Sequence, residues 1–397
     1  MPGPLDGIKI LDLSQVVSGP MATMLLADQG ADVIKVEPSN GTVDVTRSET
    51  FAKGGLSALF LNNNRGKRAI SLDLTTDAGL EIVLELAEQA DVVVQNFRPG
   101  AVQRLGVSYE DIRARNANVI YVSISGYGPT GPYADRPVYD PIIQGLSGIV
   151  WRQLNPEIPI PDLVRNLVAD KTTALTVAQA ISAALFRRER HGEGQHIEIP
   201  MLDAFLYFFW PDGMSDNSLL DDDVSGGFLL STVYRLNPTI DGRVIYFVAS
   251  EKQRQNLYSA VGHPEWNDDP DIGSLAAAAA SGNLEKLGAM IADAFLEMTT
   301  EEAMRSMLEH DVPCGQIHEP KDVMSDPQIL HNKTLEIWQH PTAGKVQSPR
   351  PAARFSETPA ELSRSAPRVG EHNDEVLSEL GRSSEQIAAL RKDDVIL

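Results

Sequence analysis

The sequence holds a single cysteine, Cys314, so no disulfide can close within the chain, and a reducing, cytoplasmic setting is expected. No apolar run approaches the ~18 residues needed to cross a bilayer. The first residues lack a basic stretch followed by an apolar one, so neither a membrane span nor a signal peptide is expected. Basic side chains are scarce: 34 Lys and Arg stand against 55 Asp and Glu, a net charge of −21. Such a surface repels nucleic acid and anionic lipid and excludes both as bulk partners. The eight histidines are scattered without ligand spacing, so no metal site is expected. A G-x-S-x-G elbow, a P-loop and internal repeats are also missing.

What is present is an ordinary globular composition, 42% hydrophobic and 22% charged over 397 residues, enough for roughly two domains. Residues 8–13 read as a buried strand. Gly19-Pro20 opens a helix over 21–29, and residues 32–37 form a second strand. This strand–helix–strand unit predicts an α/β fold with a parallel sheet. Glu37 ends the second strand, where dinucleotide-binding folds keep a ribose-binding acid. The first turn, however, has one glycine where that fingerprint needs three, which argues against nicotinamide binding.

Two later stretches concentrate positive charge on this acidic chain. Asn62-Asn63-Asn64-Arg65-Gly66-Lys67-Arg68 is a turn whose cations could pair with phosphates, or simply be solvated. Asn96-Phe97-Arg98-Pro99-Gly100 follows a strand over 91–95, and ligands collect at the carboxyl ends of such strands; Arg104 lies close behind. Gly126-Tyr127-Gly128-Pro129-Thr130-Gly131 matches G-x-G-x-x-G after a strand at 119–125. Pro129, Pro132 and Pro137 nevertheless forbid the helix that must follow such a loop.

Leu167-Val168-Ala169-Asp170-Lys171-Thr172-Thr173-Ala174 precedes apolar residues 175, 178, 181, 184 and 185 at helical spacing, ending at Gly192. Asp170 therefore sits at or near a helix start. There it could be an N-cap, or a carboxylate kept ionised by the helix dipole and competent to attack an activated acyl group. Local spacing leaves both readings open.

Beyond this helix, a strand over 195–199 and a helix over 202–209 precede an acidic stretch, 212–223, read as a domain boundary. Strands over 230–236 and 243–249 and helices over 252–261, 284–298 and 301–310 describe a smaller domain. Thr299 and Glu302 stand at capping-box spacing. Residues 341–367 are rich in Pro and Ser without periodicity, and two short helices, 373–380 and 384–391, close the chain. The expected domains are 1–212, 224–325 and a C-terminal return, 326–397.

Taken in order, several segments resemble the family III CoA-transferases, the group that includes formyl-CoA transferase, carnitine CoA-transferase and α-methylacyl-CoA racemase. They run from Pro4-Leu5-Asp6-Gly7-Ile8-Lys9-Ile10-Leu11-Asp12-Leu13 through Leu26-Ala27-Asp28-Gln29-Gly30-Ala31-Asp32 and Asn96-Phe97-Arg98-Pro99-Gly100. Ser125-Gly126-Tyr127-Gly128-Pro129-Thr130-Gly131-Pro132, Arg190-His191-Gly192-Glu193-Gly194-Gln195 and Val369-Gly370-Glu371-His372-Asn373 complete the set.

The resemblance implies a Rossmann-like, parallel-sheet large domain built from both chain ends, a smaller α+β middle domain, and an interlocked homodimer. It implies CoA, as thioester substrate and product, with a carboxylic acid as the second substrate. Asp170 falls on the family's catalytic aspartate. Asn96, Phe97, Ala101, Arg104 and Leu105 fall on CoA-contacting positions, and the Arg65-Gly66-Lys67 turn falls near the adenine and phosphate end. Arg68 and Arg98 could add charge there. Val17, Ser18, Tyr139, Gly226 and Gly227 fall on the substrate side.

Racemases of this group carry a histidine where Tyr139 stands. A tyrosine hydroxyl, ordinarily ionising near pH ~10, is a poor base at neutral pH; its bland reading is a packed aromatic. Formyl-CoA transferase has glutamine where Val17 stands and a longer glycine run where Ser225-Gly226-Gly227 stands, so oxalate and formate specificity is not implied. CoA transfer is thus the first expectation, 2-methylacyl-CoA racemisation the second, and a silent CoA-binding relative the third.

Overall fold

The structure is a computed structural model that describes every residue except 1, 2, 42, 49, 50, 156, 157, 159, 225, 226 and 228, and leaves the side chain of residue 232 undescribed. It divides into two compact units, Met1–Leu154, Pro159–Ser218 and His331–Leu397 in one, Asn155–Ile158 and Leu219–Leu330 in the other.

Six strands form the sheet of the first unit: β1 (Lys9–Asp12), β2 (Asp32–Glu37), β3 (Lys67–Ser71), β4 (Val92–Gln95), β5 (Ile120–Ser125) and β6 (Gln195–Pro200). Their spatial order is β3-β2-β1-β4-β5-β6 and every pairing is parallel. This is the doubly wound order, with its reversal between β1 and β4. Adjacent residues on each strand serve opposite faces. Ile10, Val92 and Ile120 meet helices α1 (Ser18–Asp28), α5 (Val168–His191) and α6 (Met201–Gly213) through Leu26, Ile181 and Phe205. Leu11, Val93 and Tyr121 meet α2 (Asp77–Gln89) and the C-terminal helices through Ile82, Leu86, Val376 and Ile387. Covering both faces is why β3 and β4 are buried at every residue.

The chain's end returns to the outer edge of this sheet. His372 donates its backbone N–H to Ala69 O at 2.9 Å and accepts the Ala69 N–H on Nδ1 at 3.0 Å. Asn373 accepts from Ser71 N at 2.9 Å and donates to Leu397 O at 2.9 Å. These bonds occupy groups that an open strand edge would leave unpaired.

Three sequence expectations change in the fold. Leu175, placed on the apolar stripe of the long helix, is 55% exposed; the stripe runs through Ala169, Thr173, Ala174, Val177, Ile181 and Ala184. Residues 341–367 are not structureless throughout, because Leu335–His340 and Gly344–Pro349 pair as an antiparallel hairpin. Its turn is set by His340 Nδ1 accepting the Thr342 and Ala343 amides. In the second unit, residues 230–236 are not a strand. Leu230–Val233 is a helical turn, and Arg243–Tyr246 pairs with Asn237–Pro238 and Cys314–Gln316 instead. Cys314–Gln316 satisfies the edge that the earlier run would have taken. Helices Glu251–Ala260, Leu284–Leu296 and Thr300–Glu309 surround Val244, Tyr258, Phe295 and Met307 as that unit's core.

Candidate active site

The strand order reverses between β1 and β4, and the loops leaving these two strands are clasped there. Asn96 accepts the Gln15 N–H at 2.9 Å and donates to Gln15 O at 2.7 Å. A cavity of about 300 Å³ opens at this point. Its walls are Gln15 and Val16 from the β1 loop, Ser18 at the start of α1, Asn96, Phe97, Arg98 and Pro99 from the β4 loop, Ile124 and Ser125 at the end of β5, and Gly126 after it. Ala134, Arg136, Pro137, Val138, Tyr139, Asp170 and Met201 complete it. The crevice outside the carboxyl ends of parallel strands, at the order reversal, is where such sheets bind ligands.

Asp170 lies in the third position of α5 and is 6% exposed. It does not cap that helix. Asp140, at the start of α4 (Asp140–Ser147), accepts the backbone N–H of Ala169 at 2.7 Å and of Asp170 at 3.0 Å on its Oδ2. Gln144 Nε2 donates to Asp140 Oδ1 at 2.6 Å and to Val164 O at 3.1 Å, which fixes the capping carboxylate. The Asp170 side chain is thereby released from the service its sequence position suggested.

Burial, and then the nearby Asp140 carboxylate, push the Asp170 carboxyl up to about 6, against the opposing pull of the Ser18 amide and hydroxyl. The expectation of a carboxylate held ionised by the helix start is corrected in degree: at neutral pH it is ionised, but below about 6 it takes up a proton. A carboxylate in this condition is more basic than one in water, and so a better nucleophile for an acyl carbon.

Ser18 is the first residue of α1 and 3% exposed. Gly19 beside it is required sterically, since a Cβ there would collide with the Ser14 side chain. Val17, expected on the substrate side, is 1% exposed and absent from the cavity wall; its neighbours Val16 and Ser18 line it instead. Tyr139 is not a packed aromatic: it is 61% exposed and faces the cavity. Gly227 is exposed in the second unit, and Gly226 lies outside the described residues.

The cations separate into two groups. Arg65 is buried and bonded through Nη2 to Asp28 at 2.7 Å. Lys67 is fully buried, donating to Asp12 at 2.9 Å, Pro20 O at 2.9 Å and Asn64 at 2.8 Å. Arg68 joins Asp32 at 2.6 Å and Glu379 at 2.7 Å. The sequence reading offered these three to phosphates; in the fold, carboxylates hold them, because an unpaired buried charge is far costlier than a paired one. Glu37 is likewise taken, accepting from Arg47 Nε at 2.8 Å in a buried pair, and offers nothing to a ribose.

Arg98 and Arg104, by contrast, are exposed and meet no carboxylate among the described residues. Gly100, in the left-handed region at φ 78°, brings the chain into α3 (Ala101–Leu105), where Arg104 folds back towards it. Ala101 and Leu105 are half-buried on the same short helix. Arg136 is a further exposed cation that sequence reading missed; its guanidinium lies 3.6 Å above the Tyr133 ring centroid. An arginine inside a Pro-rich, aperiodic loop gave no local signal. Trp151 and Phe208 are exposed but stand outside the cavity, Phe209 is buried, and Phe228 lies outside the described residues. No cluster of three or more potential metal ligands occurs among the described residues.

The doubly wound sheet and the buried carboxylate at its reversal define an α/β protein built to hold a ligand at the strand ends. Residues 5–373 match the family model described as CoA-transferase family III, and the chain belongs to that family. It is 30% identical to a formyl-CoA:oxalate CoA-transferase of Streptomyces avermitilis, covering 99% of each chain. It is 33% identical to a succinate–glutarate CoA-transferase of Agrobacterium fabrum, covering 95% of this chain and 96% of the relative. Among solved structures, a CAIB/BAIF family protein from Brucella suis superposes with a TM-score of 0.82 at 31% identity, covering 96% of this chain and all of that one. The protein is thus an enzyme of CoA transfer.

Proposed function

We propose that the protein moves CoA from an acyl-CoA thioester to a free carboxylic acid, with Asp170 as the nucleophile. The observation that carries this reading is the state of Asp170: buried at the cavity, relieved of capping by Asp140, and supplied with the Ser18 donors.

An Asp170 oxygen attacks the thioester carbonyl, the tetrahedral oxyanion collapses, and the C–S bond breaks to leave an aspartyl anhydride and CoA thiolate. The thiolate attacks the aspartyl carbonyl, freeing the donor acid and leaving an aspartyl-CoA thioester. The acceptor carboxylate attacks that thioester, the C–S bond breaks to expel CoA thiolate, and a second anhydride forms. Thiolate attack on its acyl carbon then releases the new acyl-CoA and restores Asp170. No net proton is consumed, which suits a wall whose described residues include no histidine.

Arg98, Arg104 and Arg136 are the cations free to meet CoA phosphates, with Asn96 and Phe97 shaping the pocket beside them. The names of the relatives favour a short carboxylic or dicarboxylic acid as acceptor. Tyr139 in place of a histidine favours transfer over racemisation. We infer a homodimer from the family resemblance; the exposed apolar side chains Phe186, Tyr207 and Phe208 support pairing.

The test is to incubate the enzyme with acyl-CoA and an isotopically labelled acid, then trap with hydroxylamine. Label entering the thioester and a hydroxamate on the Asp170 peptide are expected, and both should vanish in Asp170→Ala. Turnover with an unmodified peptide refutes the reading.

A further inference from the structure

The loop between β1 and α1 is gripped by side chains at five consecutive backbone groups. Ser14 N–H donates to Asp12 Oδ1 at 2.9 Å, and Ser14 O accepts from Lys35 Nζ at 2.8 Å. Gln15 N–H and O are both held by Asn96. Val16 N–H donates to Asp44 Oδ2 at 3.2 Å. Backbone partners are the usual solution for such groups, and an unbroken run of side-chain partners costs side-chain entropy at each one.

Val16 shows what the grip achieves. Its φ is +70°, a region where a β-branched residue is a genuine outlier. Strain of this kind persists only where surroundings impose it. Two residues further on, Ser18 lines the same cavity as Asp170, where its amide and hydroxyl favour the charged carboxylate.

The imposing groups are buried and mutually paired. Lys35 and Asp44 are both 0% exposed and lie 3.3 Å apart. Asp44 is held in turn by Thr46, whose N–H and hydroxyl donate to its other oxygen at 3.0 and 2.7 Å. Asp12 is held by Lys67 at 2.9 Å and by Thr23 at 2.7 Å. Asp44 Oδ1 caps the turn Val45–Ser48, but its Oδ2 and the Lys35 ammonium, which no backbone ladder uses, are turned to the loop: both meet residues 14–16.

We propose that the buried Lys35–Asp44 pair is a positioning device: with Asp12 and Asn96 it moulds residues 14–16, holds Val16 left-handed, and so keeps the Ser18 donors aimed at Asp170. This inference rests on Asp170 being the nucleophile. The charged group facing Asp170 is Asp140 from α4; those within the mould are Asp12, Lys35, Asp44 and Lys67 from β1, β2, the following loop and β3.

The experiment begins with hydroxylamine trapping on the wild-type enzyme, since an absent Asp170 adduct removes both this inference and the reading beneath it. Asp44→Asn then deletes the charge that holds Val16 N–H and Lys35. Expected are a kcat reduced by roughly tenfold, a KM for acyl-CoA changed less than about threefold, and an acid limb of kcat displaced upward, because Asp170 has lost donors to its charged form. Adding Val16→Gly, which adopts this φ without strain, should recover most of the lost kcat. Asn96→Ala removes no buried charge and serves should Asp44→Asn not fold. Its acid limb should also rise, whatever its KM does. Wild-type acid limbs in the folded variants, with the adduct present, overturn the proposal.

Discussion

Asp140 caps the helix that carries Asp170: its Oδ2 accepts both the Ala169 and the Asp170 amide, at 2.7 and 3.0 Å. One carboxylate thus neutralises a helix start and also raises the proton affinity of the other, which faces the cavity. Asp140→Asn keeps an oxygen for the cap and removes the charge. The acid limb of kcat/KM should move down towards the ordinary carboxylate range while the thermal midpoint changes little. Asp140→Ala should lose about 1–2 kcal/mol of stability through uncapped amides. A pH titration and a melting curve on each variant check both.

For the wild-type enzyme, activity requires ionised Asp170, so kcat/KM should fall as pH drops through about 6. A rate profile between pH 3.5 and 8 on a non-titrating thioester measures this, and a limb near 4 would contradict it.

The same elevated carboxyl predicts a stability effect with a definite sign. The folded state holds the Asp170 proton up to about 6, whereas the unfolded chain releases it near 3.8. Between those values the folded state binds more protons, so its stability declines as pH rises, by up to about 3 kcal/mol once both forms are ionised. Asp170→Asn should therefore be inactive yet melt higher than wild type at pH 8, with the difference shrinking below pH 4. Equal melting points at both pH values would contradict the burial argument.

The two groups of arginines should part under alanine substitution. Arg104→Ala and Arg136→Ala should raise the KM for acyl-CoA several-fold with little change in melting, since exposed cations act on phosphate through charge-assisted bonds. Arg65→Ala should instead destabilise by about 3–5 kcal/mol, because Asp28 would be left buried without its partner. Paired kinetics and calorimetry decide; an unchanged KM for Arg104→Ala removes it from the pocket.

Much of this site was legible along the chain because its signals are local. The helical period ending at Gly192 located Asp170 in a first turn, and the Asn96-Phe97 loop followed an evident strand. What stayed hidden was tertiary. Asp140 reaches its amides from 30 residues away, so nothing around it announces a cap. Residue type shows that Arg65, Lys67 and Arg68 are cations, but only the fold shows that Asp28, Asp12 and Asp32 already occupy them. Leu175 fits the helical stripe by spacing, yet its true face depends on how α5 is rotated against α1 and the sheet.

The bonds from His372 and Asn373 to β3 set a timetable for biosynthesis. Asn373 follows Ser71 by 302 residues, so at roughly 5–20 residues per second the ribosome takes about 15–60 s to deliver it. Until then the nascent sheet carries a bare outer strand, whose Ala69 and Ser71 amides lack the partners the finished chain supplies.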